Sequence, residues 1–159
     1  MDALLKILRH RALAPREEIA LELGLSVEEL NNRIASLESS GVVLGYQAVI
    51  DTEKLDEDDV TALIEVSIRP ERGGGFDRLA RRIAKFDQVQ GCYLMSGGYD
   101  LLVVVSGANL REISHFVAEK LSTVEGVLST ATRFRLKTYK ENGVTIARDE
   151  EPSRLAVSP

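Results

Sequence analysis

Apolar positions follow two regimes along the chain. Over the first fifty residues they recur at helical spacing, as Leu4, Leu5 and Leu8, then Ile19, Ala20 and Leu23, then Leu30, Ile34 and Leu37. Steps of three and four place each set on one face of a helix. Pro15 suits the first turn of the second helix, where its missing N–H costs nothing, and Gly24 ends that helix. Ser26, with Glu29 three residues later, forms a capping box that opens the third. Gly41 closes the third helix, and the β-branched residues within 42–50 predict an extended strand. Two helices around a tight glycine-containing turn are a helix-turn-helix pattern. The strand after them predicts a wing. Periodicity alone does not separate this motif from other small helical domains.

Beyond Asp59 the pattern changes. Residues 61–68 (TALIEVSI) predict a strand, and Phe76, Leu79, Ile83 and Phe86 one face of a helix. Residues 89–95 predict a second strand, Gly97-Gly98 a turn, and 101–105 a buried third strand. Leu110, Ile113, Val117 and Leu121 form another helical face, and 127–136 a last strand. The order is βαββαβ. Val89-Gln90-Gly91 and Val124-Glu125-Gly126 read as an internal repeat, each following a helix. Two βαβ halves of this kind build an α+β, ferredoxin-like sheet with both helices on one face. Leu102 to Val105 are apolar on both faces of their strand, which predicts that a second copy covers the other side of the sheet.

Residues 51–59 (DTEKLDEDD) are acidic and lack the glycine of a calcium loop, so they predict a hinge. The expected organisation is therefore 1–50, a hinge at 51–59, a sheet domain at 60–140, and a polar, proline-containing tail at 141–159.

Composition narrows the function classes. With 159 residues, 44% hydrophobic and 28% charged, the chain has the make-up of a globular protein. Its longest apolar runs fall well short of the roughly 20 residues of a membrane helix. Its start lacks the charged-then-apolar order of a signal peptide, and a cytoplasmic protein is expected. The single cysteine, Cys92, excludes an intrachain disulfide and a multi-cysteine zinc site. His10 and His115 fall in different domains and predict no metal pair or catalytic dyad. Arg72-Gly73-Gly74-Gly75 lacks both the dinucleotide-binding spacing and the Gly-Lys-Ser/Thr of a P-loop, so it reads as a loop. No cofactor is implied. Net charge is −5, and residues 1–50 carry five basic groups against seven acidic ones. The bulk electrostatic signature of a nucleic-acid binder is absent, so any such function rests on local pattern.

That local pattern carries a resemblance. Gly24-Leu25-Ser26, Arg33, Leu37-Glu38, Gly41-Val42-Val43, Gly45-Tyr46, Ile50-Asp51 and Lys54-Leu55 resemble the winged helix-turn-helix of the Lrp/AsnC family, the feast/famine regulators. Ser96-Gly97-Gly98-Tyr99-Asp100-Leu101 and Val127-Leu128-Ser129-Thr130-Ala131-Thr132 resemble the family's effector-binding RAM domain. The two matches stand in the family's order and cover residues 2–140.

The resemblance implies a transcription regulator rather than an enzyme, with double-stranded DNA as partner. It implies a homodimer through the sheet domains, assembling into tetramers or octamers. An amino acid or related metabolite would bind where RAM domains meet. Residues 26–37 become the recognition helix, with Ser26, Asn31, Asn32 and Arg33 toward DNA and Lys6, Arg9, Arg11 and Arg16 holding its backbone. One departure from the family stands out: the exposed face of this helix offers Glu28, Glu29, Asn31, Asn32 and a single Arg33, where relatives place more cations. Asn suits adenine and Arg guanine, but the acids repel phosphate. Binding per subunit is expected to be weak and multivalent. Glu28 and Glu29 serve the helix dipole, and Arg33 either meets DNA or folds back on Glu29.

The expected effector residues are Gly97, Gly98, Tyr99 and Asp100, with Ser129, Thr130 and Thr132 nearby. Backbone donors at the glycine turn would hold a carboxylate, Asp100 an ammonium, and Tyr99 would close the pocket. The plain reading of the same residues is a tight turn and two threonines of high β-propensity. Two other functions stay open: a metabolite-binding module without direct DNA binding, and a haem-precursor decarboxylase. Two scattered histidines argue against the second.

Overall fold

The computed structural model describes residues 2–55, 59–69 and 75–146. They fall into two units, Met1–Ala48 and Val49–Pro159.

The first unit holds α1 (Ala3–Arg11), α2 (Arg16–Leu23) and α3 (Val27–Ser39). Asp2 caps α1 by accepting from the Leu4 N–H at 3.0 Å. Pro15 stands at the N-cap of α2, and Gly24 ends that helix with the left-handed φ of 66° that a side chain resists. Both halves of the capping box at Ser26 and Glu29 are formed. Leu4, Ile7, Leu8, Ile19, Ala20, Leu30 and Ile34 make the core, with Leu23, Leu37 and Val43 packed at its margin. Leu5, expected inside, is only half-buried; Ile7 takes its place.

Residues 42–50 are a correction. They join no sheet, and the expected wing strand is absent among the described residues. Instead the Val42 and Val43 N–H groups both donate to the Leu37 carbonyl at 3.0 Å, and the Tyr46 hydroxyl donates to Glu38 at 2.9 Å. β-Branched residues fit a pleated surface when a neighbouring strand supplies one. Here none does.

The second unit opens with a 3₁₀ turn, Thr52–Lys54. Residues 56–58 of the expected hinge lie outside the described residues. Then come β1 (Val60–Ile68), α4 (Asp77–Ile83), β2 (Val89–Leu94), β3 (Leu101–Gly107), α5 (Leu110–His115) and β4 (Val127–Phe134). α5 continues directly into a π-helical turn, Phe116–Leu121. The sheet is antiparallel in the order β2-β3-β1-β4. Ala62, Ile64, Val66 and Ile68 of β1 and Leu101, Val103 and Val105 of β3 are buried against Leu79, Ile83, Ile113, Phe116 and Leu121 of the helices. The result is an α+β layer of sheet and helices.

Two expectations shift here. Phe116 is buried and Leu110 is 55% exposed, the reverse of a regular helical stripe. The Ser122 N–H reaches back five residues to the Val117 carbonyl at 2.9 Å, so one extra residue enters the turn, and Phe116 turns inward in place of Val117 while Leu121 stays buried as expected. The internal repeat is real but offset by three residues. Val89 N–H bonds to the Phe86 carbonyl at 2.9 Å, and Val127 N–H to the Val124 carbonyl at 3.0 Å. Structurally, Phe86 to Val89 thus answers Val124 to Val127.

Part of the expected tail is ordered as well. β5 (Lys140–Glu141) and β6 (Val144–Thr145) form a hairpin around Asn142 and Gly143, whose φ values are 47° and 88°. Two positive values are the signature of the tight turn favoured by Asn-Gly. Residues 147–159, and Arg72 to Gly74 of the glycine-rich loop, lie outside the described residues. Among the described residues no helix is long and apolar enough to cross a membrane.

Candidate functional site

On α3 the capping box engages Ser26, which the sequence offered to DNA, with Glu29. Ser26 Oγ accepts from the Glu29 N–H at 3.2 Å, and Glu29 Oε2 accepts from the Ser26 N–H and Oγ–H, both at 2.8 Å. Those bonds hold the Glu29 carboxyl below its ordinary value, the Ser26 backbone N–H contributing most. Glu29 is therefore engaged away from Arg33. Arg33 Nη2 donates to Asp2 Oδ2 at 2.9 Å instead, so the fold-back on Glu29, the alternative to a DNA contact, is not formed. Asn31 and Asn32 are exposed beside it.

The other basic candidates differ among themselves. The Arg11 guanidinium joins α1 to α2 through Glu18, at 2.9 Å, and Glu22. The hydrogen bond to Glu22 is the main cause of its raised pKa. It is occupied within the chain, so its expected phosphate contact finds a competitor already in place. Arg16 is half-buried, and its Nη1 lies buried with no hydrogen-bond partner. Lys6 and Arg9 are exposed on α1, four and seven residues after Asp2, which puts them on one side of that helix.

In the second unit the glycine turn between β2 and β3 is exposed. Gly97 takes a φ of 128°, which a side chain would resist, whereas Gly98 has open space where a Cβ would stand. Tyr99 is half-buried. The Asp100 carboxylate has a structural partner. Its Oδ2 accepts from the Ile68 N–H at 2.8 Å, where β1 bulges between Ser67 and Ile68. The Asp100 N–H donates to the Val66 carbonyl at 3.1 Å, and its carbonyl accepts from Met95 at 2.8 Å. The expected ammonium acceptor is thus already engaged on one oxygen, repairing the ladder where the bulge leaves an amide unpaired.

Ser129, Thr130 and Thr132 do not converge with that turn as one cluster. Thr130 and Thr132 stand opposite Val66 and Ile64, on the helix side of the sheet, and Ser129 stands opposite Ser67 on the other side. β1 lies between β3 and β4, so the two groups are separated by about 10 Å of sheet.

The side of the sheet away from the helices carries Leu102 and Val104, as the doubly apolar strand predicted, together with residues not singled out from the sequence. Leu63, Leu102, Val104 and Tyr93 share it, as register pairs Leu63 with Val104 and Leu102 with Tyr93. Val103 and Val105, on the strand's other face, lie fully buried under the helices. Glu65 and Arg133 form a two-pronged pair on the open side, Nε to Oε1 at 2.7 Å and Nη2 to Oε2 at 3.2 Å. The arginine lowers the Glu65 pKa. One acid at an outward position of the apolar strand 61–68 was the signal for it. Cys92 is half-buried in β2, where burial raises its thiol pKa and favours the unreactive form.

Comparison with known proteins covers both units. Residues 61–145 match the family model of the Lrp/AsnC ligand binding domain. The chain is 43% identical over 157 residues to the HTH-type transcriptional regulator YugG of Bacillus subtilis, spanning 98% of this chain and 95% of that protein. Among solved structures it resembles a transcriptional regulator of Neisseria meningitidis in complex with L-methionine, at 26% identity and a TM-score of 0.69, covering 89% of this chain and 93% of that one. It also resembles a feast or famine regulatory protein of M. tuberculosis complexed with L-methionine, at 26% identity and a TM-score of 0.70, covering 91% and 95%.

Proposed function

The chain belongs to the Lrp/AsnC family of transcriptional regulators, and from that premise we propose how its two units divide the work. Residues 1–50 read double-stranded DNA through α2, the Gly24 turn and α3 as a helix-turn-helix, without a wing. Asn31 and Asn32 face the groove, and Arg33, Lys6 and Arg9 meet phosphate. Residues 60–140 form the effector and assembly domain, joined to the first unit through 51–59. The observation that supports this division is the similarity to YugG, which runs through both units rather than the sheet domain alone. The protein acts on DNA in the cytoplasm and needs no cofactor.

The effector is an α-amino acid, the ligand class named for two structural relatives. It binds at the β2–β3 turn, where Gly97 and Gly98 expose backbone N–H groups to its carboxylate and Tyr99 closes over it. Asp100 acts mainly by shaping the turn, through its bond to Ile68. Ser129, Thr130 and Thr132 reach an effector from a neighbouring subunit, since within one chain they stand apart from the turn. Two copies pair through Leu63, Leu102, Val104 and Tyr93, and dimers assemble further in even numbers. Apolar area of this kind on a half-buried sheet is what a partner sheet covers.

A thermal-shift screen of the twenty amino acids, on wild type and Gly98→Val, tests the effector site. A ligand that binds the native state raises the melting temperature. The wild type is expected to respond to at least one amino acid and Gly98→Val to none, because the new side chain fills the open space at the turn. An equal response in both places the pocket elsewhere.

A further inference from the structure

We propose that Asp2 sets the DNA affinity of this protein by holding Arg33 in an ion pair that a DNA phosphate must displace. The inference rests on the reading of α3 as the DNA-contacting helix. Arg33 is the one cation in α3, so whatever holds its guanidinium controls the positive charge of that helix.

Three features make Asp2 a competitor rather than a permanent partner. The first is exposure: the two side chains are 47% and 38% accessible, and exposed pairs of this kind shift an equilibrium by only about 1.5- to 5-fold. Phosphate therefore displaces the carboxylate at small cost. The second is anchorage. Asp2 Oδ1 accepts from the Leu4 N–H at 3.0 Å, so the acid stays at the start of α1 when Arg33 leaves. There the positive end of the helix still compensates its charge. The third is that Glu29, the nearest acid on the preceding turn of α3, is held in the capping box and does not recapture the arginine. Lys6 and Arg9 follow Asp2 along the same side of α1, so a phosphate that reaches Arg33 also meets two exposed cations.

Asp2→Asn tests this directly. Asparagine caps a helix as well as aspartate does but carries no charge. A mixed-sequence DNA duplex is titrated with wild type, Asp2→Asn, Arg33→Ala and the double variant at several salt concentrations. Asp2→Asn is expected to bind about three- to fivefold tighter. Arg33 meets phosphate in both proteins, so the slope of log affinity against log salt should stay the same, whereas Arg33→Ala should make it shallower by about 0.9. In the Arg33→Ala background the change at position 2 should do nothing. Asp2→Ser, another uncharged cap, should reproduce the gain. Equal affinity of Asp2→Asn and wild type overturns the proposal, as does a gain that survives in Arg33→Ala, since residue 2 would then act on DNA without Arg33. If neither wild type nor Asp2→Asn binds the duplex, the DNA reading of α3 itself fails, and the gate with it.

Discussion

Arg33 in the first unit and Asp100 in the second are the charged residues that the sequence set nearest to a ligand, and both are engaged within the chain. They are held in opposite ways. Arg33 meets another exposed side chain, so its bond exchanges readily with solvent or an incoming anion. Asp100 meets a backbone N–H at the bulge of a central strand, a fixed donor of the sheet itself. Charge that is to be delivered to a ligand belongs in the first kind of contact. Charge that shapes the binding turn belongs in the second. Chemical type alone does not tell them apart; the partner does.

Substitutions can break that contrast. The largest effect is expected at Asp100: Asp100→Ala leaves the Ile68 N–H unpaired and should cost about 1–3 kcal/mol in urea unfolding. Asp100→Asn keeps an acceptor oxygen and should cost clearly less; equal losses would mean that charge rather than the hydrogen bond matters. Ser26→Ala comes next, at about 1 kcal/mol, because it opens one half of the capping box. The pH dependence of that box has a definite sign. The Glu29 carboxyl is held below its ordinary value in the folded state. Its contribution is therefore complete above the usual carboxylate range and is lost as pH falls through the lowered value. Acid titration of Glu29→Gln beside wild type should show the two stabilities converging on the acid side. The smallest effect is expected at Arg33. Arg33→Ala should change stability by no more than about 0.5 kcal/mol while weakening DNA binding, the reverse of the Asp100 variants. A large loss of stability there would erase the distinction between the two residues.

Much of the fold was legible because it follows from local rules. Ser26 and Glu29 announce their capping box by spacing alone, and the strands of the sheet domain announce themselves by apolar runs between turns. The misses came where a second element decides the outcome. Val42 and Val43 have the composition of a strand, but a strand needs a partner, and these residues instead bond back to Leu37. The repeat was read from the identity of Val-x-Gly, whereas the chain repeats a turn, so the match lay three residues away. Asn142-Gly143 was a clear hairpin signal that the polar, proline-containing composition of the tail concealed. At the effector turn the glycines were legible, but the partner of Asp100 was not, because Ile68 is thirty-two residues away in sequence. Arg33 and Asp2 are thirty-one apart, with the same consequence.

The π turn at Phe116–Leu121 carries a last consequence, one of chain length. It absorbs one residue more than the regular helical period calls for, and it does so between two buried anchors, Phe116 and Leu121. Removing one residue from Val117 to Lys120 would let the helix close into an ordinary α turn while both anchors stay inside. In a molecule whose strands are fixed in register on both sides, this is where an insertion in the gene could be accommodated without moving the sheet, and where its reversal would be equally quiet.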